Sequence, residues 1–527
     1  MSSLNPPPRY SLVHDPWIPT QHGDVSLETA LRDSRNIAGI DSGNAAVDLA
    51  VLRFILAAVY RAHALYGPDA TDIDDALDAW ENVWSGDSLY TDEVARYLDE
   101  HGESMTLETL LVPGMVSASG VWRETDTMFQ SRNLFPQVVP ETMTPAELAR
   151  AVLYVQAWDT AGIKTGDPTD PRTTGGKIYG ATVGALGWAG TTAIIGATLH
   201  ETLCLNWVPG LASAGDLPMW ERAPYGACAR GDIEPGHTPG VVELLTWQSR
   251  RLNAQWEDDM CTGVMVSAGD NLPIDAYTND PMTVSTLSDP RSKKAGRPVY
   301  VPAPMYSHNA VWRCVGGLLP STPRETVSSG VAEGSVKSLP PKTSEFLGTA
   351  IDEGVLEDGF VLRAHHVSYV YGTKSVVIDD VRETTFPLPS ASLGTRQCAA
   401  TVVAAADYTA EKVMKAIRSF VWSLDIAAGG EGAWDSASMT AMMDKFTRAV
   451  SASFNAWSET ATRGGVDDLD RWKQHVKDDV VRVAEKCVSL APVRASVGTI
   501  HDSRTYSAAR SLDALRTSLT TKKDTNE

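Results

Sequence analysis

Residues 412–424 read KVMKAIRSFVWSL, and their spacing decides the character of the end of the chain. Val413, Ile417, Phe420, Val421 and Leu424 recur three or four positions apart, so they line one face of a helix. Three more such faces follow. Met442, Met443, Phe446, Ala449, Val450, Phe454 and Trp457 make the second. Leu469, Trp472, Val476, Val480, Val483 and Cys487 make the third, and Ala508, Leu512, Leu515 and Leu519 the fourth. Gly429-Gly430, Gly464-Gly465 and Pro492 stand between them, where helices stop. Four amphipathic helices with short links predict a C-terminal four-helix bundle over residues 390–527.

Before Pro389 the signals are mixed. In GFVLRAHHVSYVYGTKSVVIDDVRE (359–383), strand-like runs Phe360–Tyr371 and Ser375–Arg382 flank Gly372-Thr373-Lys374, which reads as a hairpin. The apolar run Ala45–Tyr60 contains Asp48 and Arg53 and reads as a buried helix rather than a membrane span. Pro320–Ser344 is rich in Ser, Pro and Gly and reads as a mobile loop. The fold class is α+β: a large mixed α/β domain over residues 1–389, then the bundle. No fixed-period repeat is present.

Composition narrows the function. The 527 residues suffice for two or three domains, with 43% hydrophobic and 21% charged residues, as in ordinary folded proteins. A net charge of -21 repels phosphate at long range, so any nucleic-acid contact must be local or shared with basic partners. The opening MSSLNPPPRYSLVHDPW has no apolar signal core. The six cysteines are all at least 24 residues apart, which predicts reduced thiols in a cytoplasmic protein without a membrane partner.

Motifs for catalysis are missing. No GxxxxGK[ST] loop or GxSxG elbow occurs; GGKIYG is too short and lacks the Ser or Thr after Lys177. His14-Asp15 and His501-Asp502 are dipeptides that some metal-dependent nucleases use, but a turn or capping role is the simpler reading. His365 and His366 are adjacent in a strand, point to opposite faces and cannot share a metal. The expectation is a binding protein, not an enzyme, with no metal and no cofactor.

The binding signal is concentrated in Asp159–Trp207, DTAGIKTGDPTDPRTTGGKIYGATVGALGWAGTTAIIGATLHETLCLNW. A polar loop with Lys164, Arg172 and Lys177 runs into Gly175-Gly176 and then an apolar helix. Such a loop is expected to expose backbone N–H groups and basic side chains to a phosphate chain or a groove edge. Lys293-Lys294 and Arg297 sit in a Gly-containing basic turn before a strand, and Lys374 sits at the hairpin tip. Taken one by one, each also fits a solvated charge.

In order and total length these segments resemble the CasA family, the large subunits of type I-E CRISPR surveillance complexes (Cascade). The matching stretches are SLVHDPWIPTQHGDVSLETAL, Phe129-Gln130, DTAGIKTGDPTDPRTTGGKIYG with GWAG and HETLCLNW, PMWERAPYGA, LLTWQSRRLNA and SVVIDDVRETTFPLP. The resemblance implies a non-catalytic subunit in antiviral defence. It would recognise the protospacer-adjacent motif in duplex DNA, promote R-loop formation and recruit a separate helicase–nuclease. Its partners would be the CRISPR RNA 5′ handle, target double-stranded DNA and the other Cascade subunits. By the same resemblance, the loop from Gly162 through Ile163, Lys164, Thr165 and Arg172 to Thr174 docks on RNA and a neighbouring subunit. Gly175, Gly176 and Lys177, with Lys293 and Lys294, would approach the motif from the minor groove. Thr373, Lys374 and Ser375 would form a wedge, with lysine where the family commonly has glutamine. Some members carry a zinc-binding cysteine cluster after TWQSRR; only Cys261 lies there, so no zinc is expected. The alternatives are a helical adaptor that reads no DNA, or a metal-dependent nuclease.

Overall fold

Ala45–Tyr66 (α1) is apolar on nearly every side, and the structure buries it accordingly. Asn44 caps it by accepting from the Ala46 amide. Two arginines go into the core with it, each held by a carboxylate. Arg53 meets Asp280 at 2.6 Å and Arg61 meets Glu221 at 2.6 Å. Pro145–Trp158 (α2) packs along α1, opening with a capping box between Thr144 and Glu147 and with Pro145 in its first turn. The Trp158 indole donates to the Ala46 carbonyl at 3.0 Å, tying the end of α2 to the start of α1.

This computed structural model describes residues 8–117, 141–230, 238–303, 318, 326–328, 330–357, 360–388, 393–429, 434–462 and 469–520. Phe129-Gln130 lies outside them. The chain divides into two units: Met1–Pro304 with Glu325–Leu347 and Ala364–Glu383, and Met305–Arg324 with Gly348–Arg363 and Thr384–Glu527.

The first unit adds small antiparallel sheets to its helices. Gly162–Thr165 (β1) pairs with Lys177–Ala181 (β2). Arg250–Glu257 (β4) pairs with Met260–Ala268 (β5) through an Asp258-Asp259 turn. Thr191–Ile195 (β3) is an outer strand of a three-stranded sheet in the order β7-β6-β3, where β6 is Leu362–Tyr371 and β7 is Ile378–Leu388. The expected hairpin is therefore present, with its tip at residues 372–377. Part of the expected 320–344 loop is regular: Ser338–Leu339 pairs with Ser285–Leu287, and a helix starts at Lys342. Residues 320–325 and 329 of that loop lie outside the described ones.

The second unit holds the bundle. Leu393–Tyr408 (α4) and Met414–Gly429 (α5) run on as one helix through a π-turn at Thr409–Val413. Ser436–Thr462 (α6), Leu469–Ser489 (α7) and Ala508–Ser518 (α8) complete it. The predicted faces meet inside: Phe420 packs edge-on to Phe446, and Trp472 contacts both Phe454 and Trp457. The π-turn brings the Thr409 hydroxyl to the buried Trp472 indole, which donates to it at 3.0 Å. Between α7 and α8 the link is longer than expected: a short helix at Val493–Val497, then Thr499–His501 (β8) paired with Arg504–Tyr506 (β9). The architecture is α+β, with mixed helices and small sheets followed by a helical bundle. Among the described residues, no helix is long and apolar enough to cross a membrane.

Candidate nucleic-acid interface

The Asp159–Trp207 stretch rests on a buried charge. Asp159 is fully buried at the end of α2. The Lys164 ammonium approaches it at 2.6 Å and donates to the Thr160 carbonyl at 2.7 Å. Arg250 donates to the same carboxylate and to the carbonyls of Thr160 and Thr182. Its neighbour Arg251 is equally buried and pairs with Asp270 at 2.8 Å. TWQSRR is thus a structural segment: Trp247, Gln248, Ser249, Arg250 and Arg251 are all buried.

The expectation that the loop exposes its basic side chains is corrected here. Lys164 is only 2% exposed, because a carboxylate beneath the loop draws it inward. Arg172 clasps Asp170 at 2.7 Å and donates to the carbonyls of Ala268 and Gly269, pinning the loop to β5. Asp167 takes the amides of Val116 and Thr169 and the Thr169 hydroxyl. Burial raises the Asp167 pKa, but these hydrogen bonds outweigh it and hold the carboxyl below its ordinary value. The loop is therefore an internally bonded hairpin.

The hairpin ends in a tight turn. Gly175 and Gly176 have φ of +58° and +76°, both left-handed, as a type I′ turn requires. Thr174 and Lys177 exchange hydrogen bonds across it, at 2.8 and 3.2 Å. A Cβ at Gly175 would meet nothing within 4 Å, so this backbone is open to an approaching surface. On the strands, Ile163 is 53% and Tyr179 60% exposed, an apolar pair beside the turn. Tyr179 was not singled out from sequence, although alternation in KIYGA, with Ile178 buried, marks it as outward.

The other hairpin tip has a similar turn with different residues. Lys374 and Ser375 have φ of +57° and +56° without being glycine, an uncommon and strained choice. Gly372 and Val377 are bonded across the base at 2.9 Å. The Ser375 carbonyl accepts from the Ala161 amide at 2.8 Å, and Val376 lies where a Cβ on Gly162 would clash at 2.8 Å. The tip thus rests on the start of β1. β1 therefore links the two turns: Thr165 at its end pairs with Lys177, and Ala161 and Gly162 at its start meet Ser375 and Val376.

Lys293 and Lys294 lie in a short helix, Asp289–Ala295 (α3), closed by Gly296 at φ +69°. That corrects the expected turn. Ser288, Pro290 and Gly296 are the start and stop signals that mark it. Among the described residues, Lys177, Lys293, Lys294 and Lys374 are exposed and have no side-chain partner. The basic residues assigned from sequence thus divide into four available cations and two structural ones, Lys164 and Arg172.

The histidines singled out from sequence are engaged locally. His366 is buried against the Thr192 hydroxyl at 2.9 Å, and burial pushes its pKa down to about 3, aided by His365. His365 sits on the other face, 3.1 Å from Glu383. His14 pairs with Glu28 at 3.2 Å, and Asp15 accepts from the Ser11 amide. His501 faces Asp502 at 3.5 Å within the β8–β9 turn. Among the described residues no three His, Cys, Asp or Glu cluster as metal ligands. Cys261 is buried, which pushes its thiol up to about 12.

Solved structures share this fold end to end. Thermobifida fusca Cse1 is 23% identical, with a TM-score of 0.77 over 97% of this chain and 98% of that one. Acidimicrobium ferrooxidans Cse1 is 22% identical, with a TM-score of 0.73 over 98% of each chain. A chain of a CRISPR RNA-guided surveillance complex is 16% identical, with a TM-score of 0.65 over 97% of this chain and 100% of that one. A comparison with curated proteins found no match. Residues 11–483 match the sequence profile of the CRISPR-associated protein Cse1. By that match, which takes in most of the sequence, the chain belongs to the CRISPR-associated Cse1 family.

Proposed function

We propose that this chain is the large, non-catalytic subunit of a type I-E CRISPR RNA-guided surveillance complex in the cytoplasm. It inspects duplex DNA for the adjacent motif, starts R-loop formation and recruits the helicase–nuclease. Supporting this, a relative of the same fold belongs to a complex described as a CRISPR RNA-guided surveillance complex. The observation that carries the DNA-reading part is the pair of tight-turn tips with unpartnered lysines, Lys177 and Lys374, on neighbouring hairpins. Backbone N–H groups at Gly175 and Gly176 reach minor-groove acceptors because no side chain intervenes. Lys177, Lys293 and Lys294 neutralise flanking phosphates. Thr373, Lys374 and Ser375 enter the stack as a wedge, in which lysine supplies bulk and charge but no paired amide donor and acceptor. Gly162, Ile163 and Thr165 meet the RNA 5′ handle and a neighbouring subunit, while Lys164 and Arg172 hold the loop in shape for that contact. Residues 1–389 carry these loops, and 390–527 form the bundle.

Co-purification tests the assembly. The full chain should join guide-loaded partner subunits, and the complex should bind a matched duplex far more tightly than the chain alone. A chain that does not assemble, or that binds the duplex equally well alone, overturns the reading.

A further inference from the structure

The bundle carries a feature that the reading above does not use. A cleft of about 520 Å³ opens between α5, α8 and the β8–β9 hairpin. Lys412 and Lys415 line it from the helix side, and Arg504 and Arg510 from the other. Among the described residues no Asp or Glu lines it, in a chain with 66 acidic and 45 basic residues. Chance would place an acid among four cations here, so the charge is locally sorted. Lys412, Lys415 and Arg504 have no side-chain partner among the described residues, and Arg510 has only the Thr505 carbonyl at 3.3 Å. Among the described residues no carboxylate forms an ion pair with these cations.

The cleft also has an aromatic wall. Trp422 is 41% exposed, which is unusual for so apolar a side chain on a bundle helix. It meets Tyr506 with ring centres 5.6 Å apart and planes at 88°. An edge-to-face pair occupies only one ring face, so a flat face remains for another planar group. Cations with a free aromatic face suit a ligand that is both anionic and planar. The volume falls within the range of sites for small organic ligands.

We propose that this cleft binds a nucleotide unit: its base stacks on the Trp422–Tyr506 pair and its phosphates sit among Lys412, Lys415, Arg504 and Arg510. The unit is either a free nucleotide or one residue of a single strand. Binding needs none of the hairpin tips, so it stands or falls apart from the motif-reading assignment.

The test uses the full-length chain alone. ATP without metal is titrated by calorimetry, and a labelled ten-nucleotide single strand by fluorescence anisotropy, at several salt concentrations. Wild type is compared with Trp422→Ala, Arg510→Glu and, as a control outside the cleft, Lys486→Ala on α7, with thermal melting of each to confirm folding. The site predicts that Trp422→Ala weakens binding about tenfold. Arg510→Glu should weaken it further and flatten the salt dependence, while Lys486→Ala binds as wild type. Saturable ATP binding identifies a free-nucleotide site; binding of the strand only identifies a strand site. If wild type binds neither, or if folded Trp422→Ala and Arg510→Glu bind as wild type does, the proposal is overturned.

Discussion

Lys164 separates a contact residue from a structural one. In sequence it lies in a polar loop and invites a role on RNA or a subunit surface. In the fold its ammonium is buried 2.6 Å from Asp159, which also accepts from Arg250. Replacing Lys164 by Met keeps most of the volume and leaves Asp159 with Arg250, so the carboxylate is not stranded. The loss is one charged partner and one hydrogen bond to Thr160, costing about 1–3 kcal/mol. Asp159→Asn is the harsher change, because two buried cations then lose the same anion, at about 3–5 kcal/mol. The assay is urea unfolding followed by tryptophan fluorescence, with hydrogen exchange of the 162–181 peptide as the local readout. Lys164→Met should loosen the amides of Gly166 and Lys177 before it moves the global transition, since these bond within the hairpin. Nucleic-acid binding by the assembled complex should fall only as far as the hairpin loosens. Normal exchange with lost binding in Lys164→Met would refute this reasoning, as would an Asp159→Asn cost smaller than that of Lys164→Met.

Other outcomes follow from the same geometry. Ser375→Gly removes one non-glycine residue from the left-handed region and should stabilise the tip by about 1 kcal/mol, seen as slower exchange of the Gly372 amide. Gly175→Ala meets no neighbour, so its stability cost is backbone only, about 1–2 kcal/mol, and melting should barely move. His366 gives a pH signature. The unfolded chain gains this proton near pH 6.5 and the folded chain only near 3, so stability falls as pH drops through that window. At pH 5 the penalty is about 2 kcal/mol, and His366→Gln should remove it from a pH series of urea midpoints. Asp48 runs the other way: burial pushes its carboxyl from 3.8 up to about 6, so Asp48→Asn should stabilise most at pH 8, and the gain should shrink as pH falls and vanish below pH 3.8.

What the sequence disclosed depended on the range of the interaction. The bundle faces were legible because a helix repeats locally, and Phe446, Trp472 and Leu515 are buried as their spacing required. The buried helix at Ala45 and the hairpin around Lys374 were legible for the same reason. Lys164 was not: its partner Asp159 is near in sequence, but that carboxylate lies in the core with Arg250, which comes 91 positions after it. The turn at Asp258-Asp259 and that at Asp502-Ser503 are left-handed without glycine, so the usual turn signal is absent there. The α3 helix was within reach, since Ser288, Pro290 and Gly296 frame it. The cleft beside Trp422 needed the β8–β9 hairpin, which periodicity in a helical region does not reveal.

The most direct test of the central claim is duplex binding by the chain assembled with its guide-loaded partners, across a library of adjacent trinucleotides. Wild type should discriminate among trinucleotides. Gly176→Trp should assemble but lose that discrimination, and Lys374→Ala should keep it while opening the duplex poorly. Unchanged discrimination in Gly176→Trp would contradict the account and leave the chain a bridging subunit that reads no DNA.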